Sequence, residues 1–247
     1  MKDFLFGFLY PFKCIKYFFS TPKIIFISII PVIINLFIYG IIFFFTYKWL
    51  FEYSSKITGV NSIEPSFWQE IMNIVLLIIF FIILLFICYL AFTTIGGIIT
   101  APFNEEITCI IEKNLTGQIT IAEIGFLEDI WLNIKAEIIK ILFYLAVILI
   151  LFLISLIPLF GVVISTVFGL LFSFLFNTLD FIDYPMTRRM YSLRYKLKVV
   201  TSKLMLSYGF GCIAFIFMLV PLINIFFKPL FVVSGTSLYF EKNYSKF

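Results

Sequence analysis

The side chains able to do chemistry in this 247-residue chain are few, and their types exclude most catalysis. Histidine is absent, which removes Ser-His-Asp and Cys-His nucleophile systems and any histidine-based metal site. Cys14, Cys88, Cys109 and Cys212 form no Cys-x-x-Cys pair. Cys88 and Cys212 sit inside apolar runs, where a cysteine is expected to pack as a small hydrophobe. No metal, no cofactor and no enzymatic activity are expected. Among the acids, Glu105, Glu106 and Glu112 follow directly on a long apolar run. There they suit a cation partner or a coupled proton, and equally a solvated helix face. Asp180 and Asp183 precede Arg188 and Arg189, a spacing that fits local ion pairs. Arg188, Arg189, Arg194, Lys196, Lys198 and Lys203 form a basic cluster. It is expected to face lipid, since each Lys or Arg near an anionic leaflet contributes about 1 kcal/mol.

The elements that hold these residues must be membrane elements. The chain is 62% hydrophobic and 13% charged, with a mean hydropathy of +1.12. Soluble domains carry about 25% charged residues. The modest net charge of +4 is not the footprint of a nucleic-acid binder. The expected fold is an all-α integral membrane protein. It has two long transmembrane helices, two Pro-centred helical hairpins (spanning or hemi-penetrating) and amphipathic surface helices. It forms a single membrane domain over residues 1–247.

Residues 1–23 place Phe4, Leu5, Phe8, Leu9, Phe12, Ile15 and Phe19 at helical spacing beside Lys2, Lys13 and Lys16. This pattern predicts an interfacial helix. Residues 24–47 are free of charge and long enough to span, since about 20 helical residues cover the hydrocarbon core. Pro31 is expected to kink that span. A polar connection with Lys48, Glu52, Lys56, Glu64 and Glu70 follows. A second charge-free run occupies 71–103, with Gly96, Gly97 and Pro102 near its far end. Residues 104–140 mix Glu105, Glu106, Glu112, Glu123, Glu128, Asp129 and Glu137 with Lys113, Lys135 and Lys140. This segment predicts one or two amphipathic surface helices, broken near Leu115-Thr116-Gly117. Residues 141–180 carry Pro158-Leu159-Phe160-Gly161 near the middle, which predicts a helical hairpin. The basic connection occupies 184–203. A second hairpin at 204–240 turns around Pro221-Leu222-Ile223-Asn224 and Pro229, with Lys228 at its tip. Lys23, the 184–203 cluster, and Lys242 and Lys246 at the C-terminus then share one side of the membrane. The positive-inside rule makes that side, with both termini, cytoplasmic.

Several short pieces in order along the chain carry a resemblance. They are Pro22, Pro31 and Asn35; Thr100-Ala101-Pro102-Phe103-Asn104, then Glu112 and Leu115-Thr116-Gly117; Ile157-Pro158-Leu159-Phe160-Gly161; Asp183-Tyr184-Pro185; and Tyr208-Gly209-Phe210-Gly211, leading to Pro221-Leu222-Ile223-Asn224 and Pro229. Together they resemble the CysZ-type sulfate permeases and the etoposide-induced membrane proteins of the same family. The resemblance implies long transmembrane helices with two hemi-penetrating hairpins, a homo-oligomer in the bacterial inner membrane, and sulfate uptake feeding cysteine synthesis. The permeases follow the first Pro with a Gly-x-Arg-Arg element associated with anion binding. Here Pro22 is followed by Lys23-Ile24-Ile25-Phe26, so the arginine positions are Ile25 and Phe26. Where the permeases often have Arg before Leu-Thr-Gly, this chain has Asn114.

A sulfate path needs donors that replace the hydration of a dianion. The candidates are Lys23, Asn104, Asn114 and Lys228. Each has a plainer reading: a snorkelling interfacial lysine for Lys23 and Lys228, a helix cap for Asn104, surface exposure for Asn114. Two function classes follow. One is an anion permease or channel for sulfate or a related oxyanion, with that ion and membrane lipids as partners. The other is a non-transport membrane protein that organises lipids or partner proteins.

Overall fold

The structure, a computed structural model, describes residues 2–59, 66–120 and 126–241, with side chains described at all of these except 89–98, 126–130, 133, 221–223 and 225. Glu64, Glu123, Lys242 and Lys246 lie outside the described residues, as do the side chains at Gly96, Gly97, Glu128, Asp129, Pro221, Leu222 and Ile223. All regular structure among the described residues is α-helical: α1 Lys2–Ser20, α2 Pro22–Thr58, α3 Phe67–Thr116, α4 Phe126–Ser155, α5 Gly161–Thr187, α6 Leu193–Ser202, α7 Leu204–Leu219 and α8 Pro221–Glu241. Among the described residues, four helical stretches are long and apolar enough to cross a membrane: Pro22–Thr58, Phe67–Cys88, Ile134–Ser155 and Gly161–Thr187. The chain is an all-α integral membrane protein.

Helix ends follow from local chemistry. No Gly or Pro interrupts the segment from Tyr47 to Thr58, so α2 runs beyond the expected 24–47 and absorbs Lys48, Glu52 and Lys56. It stops at Gly59, whose φ of +69° suits a helix C-terminus. Inside α2, the Asn35 side chain donates to the Pro31 carbonyl at 2.8 Å. α3 likewise continues through Pro102, so residues 104–116 extend the second long helix rather than forming a separate surface helix. It ends at Gly117, φ +81°, whose N–H donates to the Lys113 carbonyl at 2.9 Å. In the same way, residues 126–140 form the first part of α4.

The chain divides into two compact units. Ser28–Phe103 is built from α2 and α3. Its described polar contacts centre on Asn73, whose Oδ1 accepts from Ser54 and from Thr58, the latter at 3.3 Å. Phe43 and Phe81 meet edge to face, 6.1 Å between centroids.

Met1–Ile27 and Asn104–Phe247 form the other unit. Its core gathers Leu179, Ile182, Met186, Val200, Phe210, Phe231, Leu238 and Tyr239, all nearly inaccessible. Here α1 packs on α7 and α8, and α5 packs on α4, α7 and α8. The α1–α7 crossing brings backbone against backbone. A Cβ on Gly7 would lie 2.3 Å from the Leu206 carbonyl oxygen, and one on Gly209 would lie 2.0 Å from that of Phe4. Gly211 makes the corresponding approach to α5, 1.8 Å from the Phe174 oxygen. Small residues at such crossings let apolar helices gain dispersion contact. The buried stripe of α1 is therefore Gly7, Tyr10, Pro11 and Cys14. Leu5, Leu9, Phe12 and Phe19, on the face the sequence marked as apolar, are exposed.

The first hairpin turns at Pro158-Leu159-Phe160-Gly161 between α4 and α5. Leu159 adopts φ +70°, and a Cβ on Gly161 would sit 2.2 Å from the Ile154 oxygen. After α5, Ser192 caps α6 by accepting from the Tyr195 N–H at 3.4 Å. α6 and α7 then meet at a 100° bend. In the second hairpin the break is one extended residue, Val220. Pro221 occupies the first position of α8, where its missing N–H costs nothing. Pro229 is accommodated within α8. Lys228 therefore lies about two turns along that helix, and the expectation of a lysine at the hairpin tip is corrected.

Candidate functional site

Among the described residues, the ion pairs of the larger unit gather in three places. In the first, α3 presents Glu105, Thr108 and Glu112 along one face, as i, i+3 and i+7 spacing requires. Glu112 is fully buried. It accepts from Arg188 Nη2 at 2.5 Å, from Arg189 Nη2, and from the Thr120 N–H at 3.2 Å. Arg188 Nη1 also donates to Thr108 Oγ1 at 3.3 Å and lies 3.6 Å from Glu105 Oε1. Arg189 Nη1 donates to the Pro185 carbonyl at 2.7 Å, and its guanidinium stacks 5.3 Å from the Phe240 ring. Burial pushes the Cys109 thiol above its ordinary range, although Arg188 beside it acts the other way. The thiol is therefore neutral near pH 7.

In the second place, Lys140 enters from α4 and is buried. Its Nζ lies 2.9 Å from Glu137, 3.1 Å from Asp180 and 3.3 Å from Asp183. Asp183 also pairs with Lys196 of α6 at 2.5 Å and accepts from Thr187 Oγ1 at 3.0 Å. Lys228 lies within electrostatic reach of Asp180. Buried charges carry a large desolvation penalty that is offset only when they are paired and hydrogen-bonded. The two clusters meet that condition except at Arg188 Nε, which is buried without a hydrogen-bond partner, and they tie α3, α4, α5 and α6 together.

The third place is exposed. Lys23, in the first turn of α2, pairs with Glu106 at 3.0 Å, the two side chains being 65% and 50% accessible. Asn114 donates to the Tyr17 hydroxyl at 2.8 Å. Asn104, nearly inaccessible, donates to the Tyr184 hydroxyl at 3.0 Å. An exposed pair such as Lys23–Glu106 contributes about 0–1 kcal/mol. Lys23 also stands at a helix N-terminus, where the peptide dipoles favour negative charge.

The structure does not bring the four anion candidates together. Lys23 is in the exposed pair, Asn114 donates to Tyr17, Asn104 donates to the part-buried Tyr184, and Lys228 lies within electrostatic reach of Asp180. Of the expected lipid-facing cluster, Arg188 and Lys196 are buried in ion pairs and Arg189 is largely covered, while Arg194 and Lys198 remain exposed. Asp180 and Asp183 do form ion pairs, but with Lys140 and Lys196 instead of Arg188 and Arg189. Glu112 was expected to suit a cation partner and takes two, Arg188 and Arg189, whereas the central role of Lys140 was not foreseen. The faint signal for it was a lysine three residues after Glu137.

Comparison with known proteins adds a family to this geometry. Residues 10–229 match the family model described as sulfate transporter CysZ/etoposide-induced protein 2.4. Three relatives bear the name sulfate transporter CysZ. That of Pectobacterium atrosepticum is 29% identical over 227 residues, covering 90% of this chain and 80% of its own. That of Vibrio parahaemolyticus is 28% identical, covering 89% and 88%. That of Pseudomonas aeruginosa is 24% identical, covering 84% of each.

Proposed function

The chain belongs to the sulfate transporter CysZ/etoposide-induced protein 2.4 family, and from that premise we propose that it is a permease or channel for sulfate or a related oxyanion that supports sulfur assimilation. The observation that carries this reading is the match to sulfate transporters along nearly the whole length of the chain. In this reading the protein is a homo-oligomer in the bacterial inner membrane, with both termini cytoplasmic and the 204–240 hairpin dipping into the bilayer. Lys23 receives the anion at the mouth, taking the part that Ile25 and Phe26 cannot. One ammonium lacks the planar two-pronged geometry of a guanidinium. The anion is accordingly held loosely, as conduction requires. Lys228 supplies a second positive charge along α8.

The test is uptake of labelled sulfate by liposomes containing the full chain. Uptake above that of empty liposomes, weakened by Lys23→Ala and by Lys228→Ala, is expected. Uptake no greater than that of empty liposomes at every pH tried overturns the proposal.

A further inference from the structure

We propose that the cleft between the first part of α4, the end of α5 and the start of α6 is a binding site for a tetrahedral oxyanion of the phosphate type. The cleft has a volume of about 350 Å³. Lys135, Lys140 and Lys196 line it, with Thr187, Tyr191 and Ser192, and apolar side chains make up the rest of the wall. Among the described residues, every charged group lining the cleft is a lysine. Glu137, Asp180 and Asp183, which take up the three ammonium protons of Lys140 and one of Lys196, are absent from its lining.

That arrangement differs from a patch of surface lysines. Lys140 and Lys196 are only 6% and 3% accessible, and carboxylates outside the cleft lining hold their ammonium groups. Their rotamer freedom is already lost in the unliganded protein, so an anion does not bear that entropy cost on binding. Lys196 Nζ also donates to Thr187 Oγ1 at 2.5 Å, and Thr187 Oγ1 in turn donates to Asp183, so an anion draws on the remaining ammonium proton of Lys196 and the hydroxyl proton of Ser192. Ser192, in the cleft lining, is also the N-cap of α6. Lys135 is exposed at the rim and adds a mobile third charge.

The position of the cleft narrows the source of the ligand. Its α4 residues surround Ile134, where one candidate span begins, and Thr187 is the last residue of another. Lipid headgroups lie at such ends, and basic pockets beside transmembrane helices bind anionic headgroups. The same chemistry accepts a free inorganic oxyanion. The inference needs only membrane residence, and it stands or falls independently of sulfate flux.

The test uses the full chain in neutral detergent, with the thermal unfolding midpoint as readout. One arm adds short-chain phosphatidylglycerol against phosphatidylcholine. The other adds sodium phosphate against sodium chloride at equal ionic strength. A saturable rise with phosphatidylglycerol, with phosphate, or with both is expected. A rise in the lipid arm alone assigns the headgroup as ligand, and a rise with phosphate extends the site to free anions. Lys135→Glu should weaken the apparent affinity about tenfold, the equivalent of one charge-assisted hydrogen bond. Lys113→Glu, an exposed charge reversal outside the cleft, should leave it unchanged. Lys135→Gln gives the same reading if the charge reversal unfolds the protein. No saturable rise in either arm overturns the proposal, as does a rise that survives both Lys135 variants or one weakened equally by Lys113→Glu.

Discussion

The α4–α5 hairpin turns on a tip where Leu159 is 90% accessible, and most apolar side chains of its arms from Ile141 to Leu171 remain uncovered by protein. The α7–α8 hairpin breaks at Val220, yet Leu206, Phe210 and Ile213 from one arm and Leu230 to Val233 from the other are core residues. Composition does not separate them, since both are charge-poor and centred on proline. The difference lies in what covers them. α7 meets α1 and α5 through glycines that admit backbone contact, and such contact is a main source of cohesion where lipid tails are as apolar as leucine. Among the described residues, the distal arms of the first hairpin make such an approach only to each other, Gly161 against the Ile154 oxygen, so lipid or another copy of the chain must supply the surroundings of their outward apolar faces. Its base, by contrast, is fixed by Lys140, Asp180, Asp183 and the Glu112–arginine cluster.

That contrast breaks or holds under substitution, beginning with the largest expected effect. Phe231→Ala, in the core beside Phe210, should cost about 3–5 kcal/mol of stability. Phe168→Ala, on an exposed face of α5, should cost less than about 0.5 kcal/mol. Equal losses in chemical unfolding would erase the distinction between the hairpins. Glu112→Gln removes the carboxylate from two covered arginines and should cost about 3–5 kcal/mol, showing that the base of the first hairpin is as tightly held as the core. Gly211→Ala drives a methyl into the Phe174 carbonyl and should cost about 1–3 kcal/mol or more. Gly169→Ala meets only Leu151 Cδ1, at 3.7 Å. It should stabilise by about 0.5–1 kcal/mol through helix propensity. Both are read from unfolding midpoints at matched lipid or detergent. The smallest effect is chemical. Burial, with Glu241 nearby, pushes the Cys14 thiol up to about 12. Its thiolate is scarce at neutral pH, and maleimide should leave it unmodified in folded protein, whereas Leu159→Cys should label readily.

Much of this fold is legible in the sequence because a charge-free run of sufficient length has few alternatives to a membrane helix. The break at Gly117 and the turn at Pro158–Gly161 are also local, set by residues that disfavour helix. The candidate site was far less legible. Glu112 and Arg188 lie 76 residues apart, and Lys140 and Asp183 lie 43 apart. Nothing local distinguishes Arg188, which is buried, from Arg194, which is exposed. Lys228 was misplaced because two prolines suggested a broad turn, while the structure needs one extended residue. The face of α1 that packs on protein was illegible for a related reason. Hydrophobic periodicity marks large side chains, but the buried face was selected by the absence of one at Gly7.

The reciprocal seating of Gly7 and Gly209 also limits how the molecule can vary. Side chains elsewhere in the core can be exchanged if their neighbours change shape in compensation. A carbonyl oxygen facing a missing methyl offers no such accommodation. The α1–α7 joint therefore behaves as a keyed fit with one register. Sliding α1 by one residue would bring Phe6 or Phe8 to the place of Gly7, so the amino-terminal helix can be replaced by another sequence only if a glycine is kept at that level.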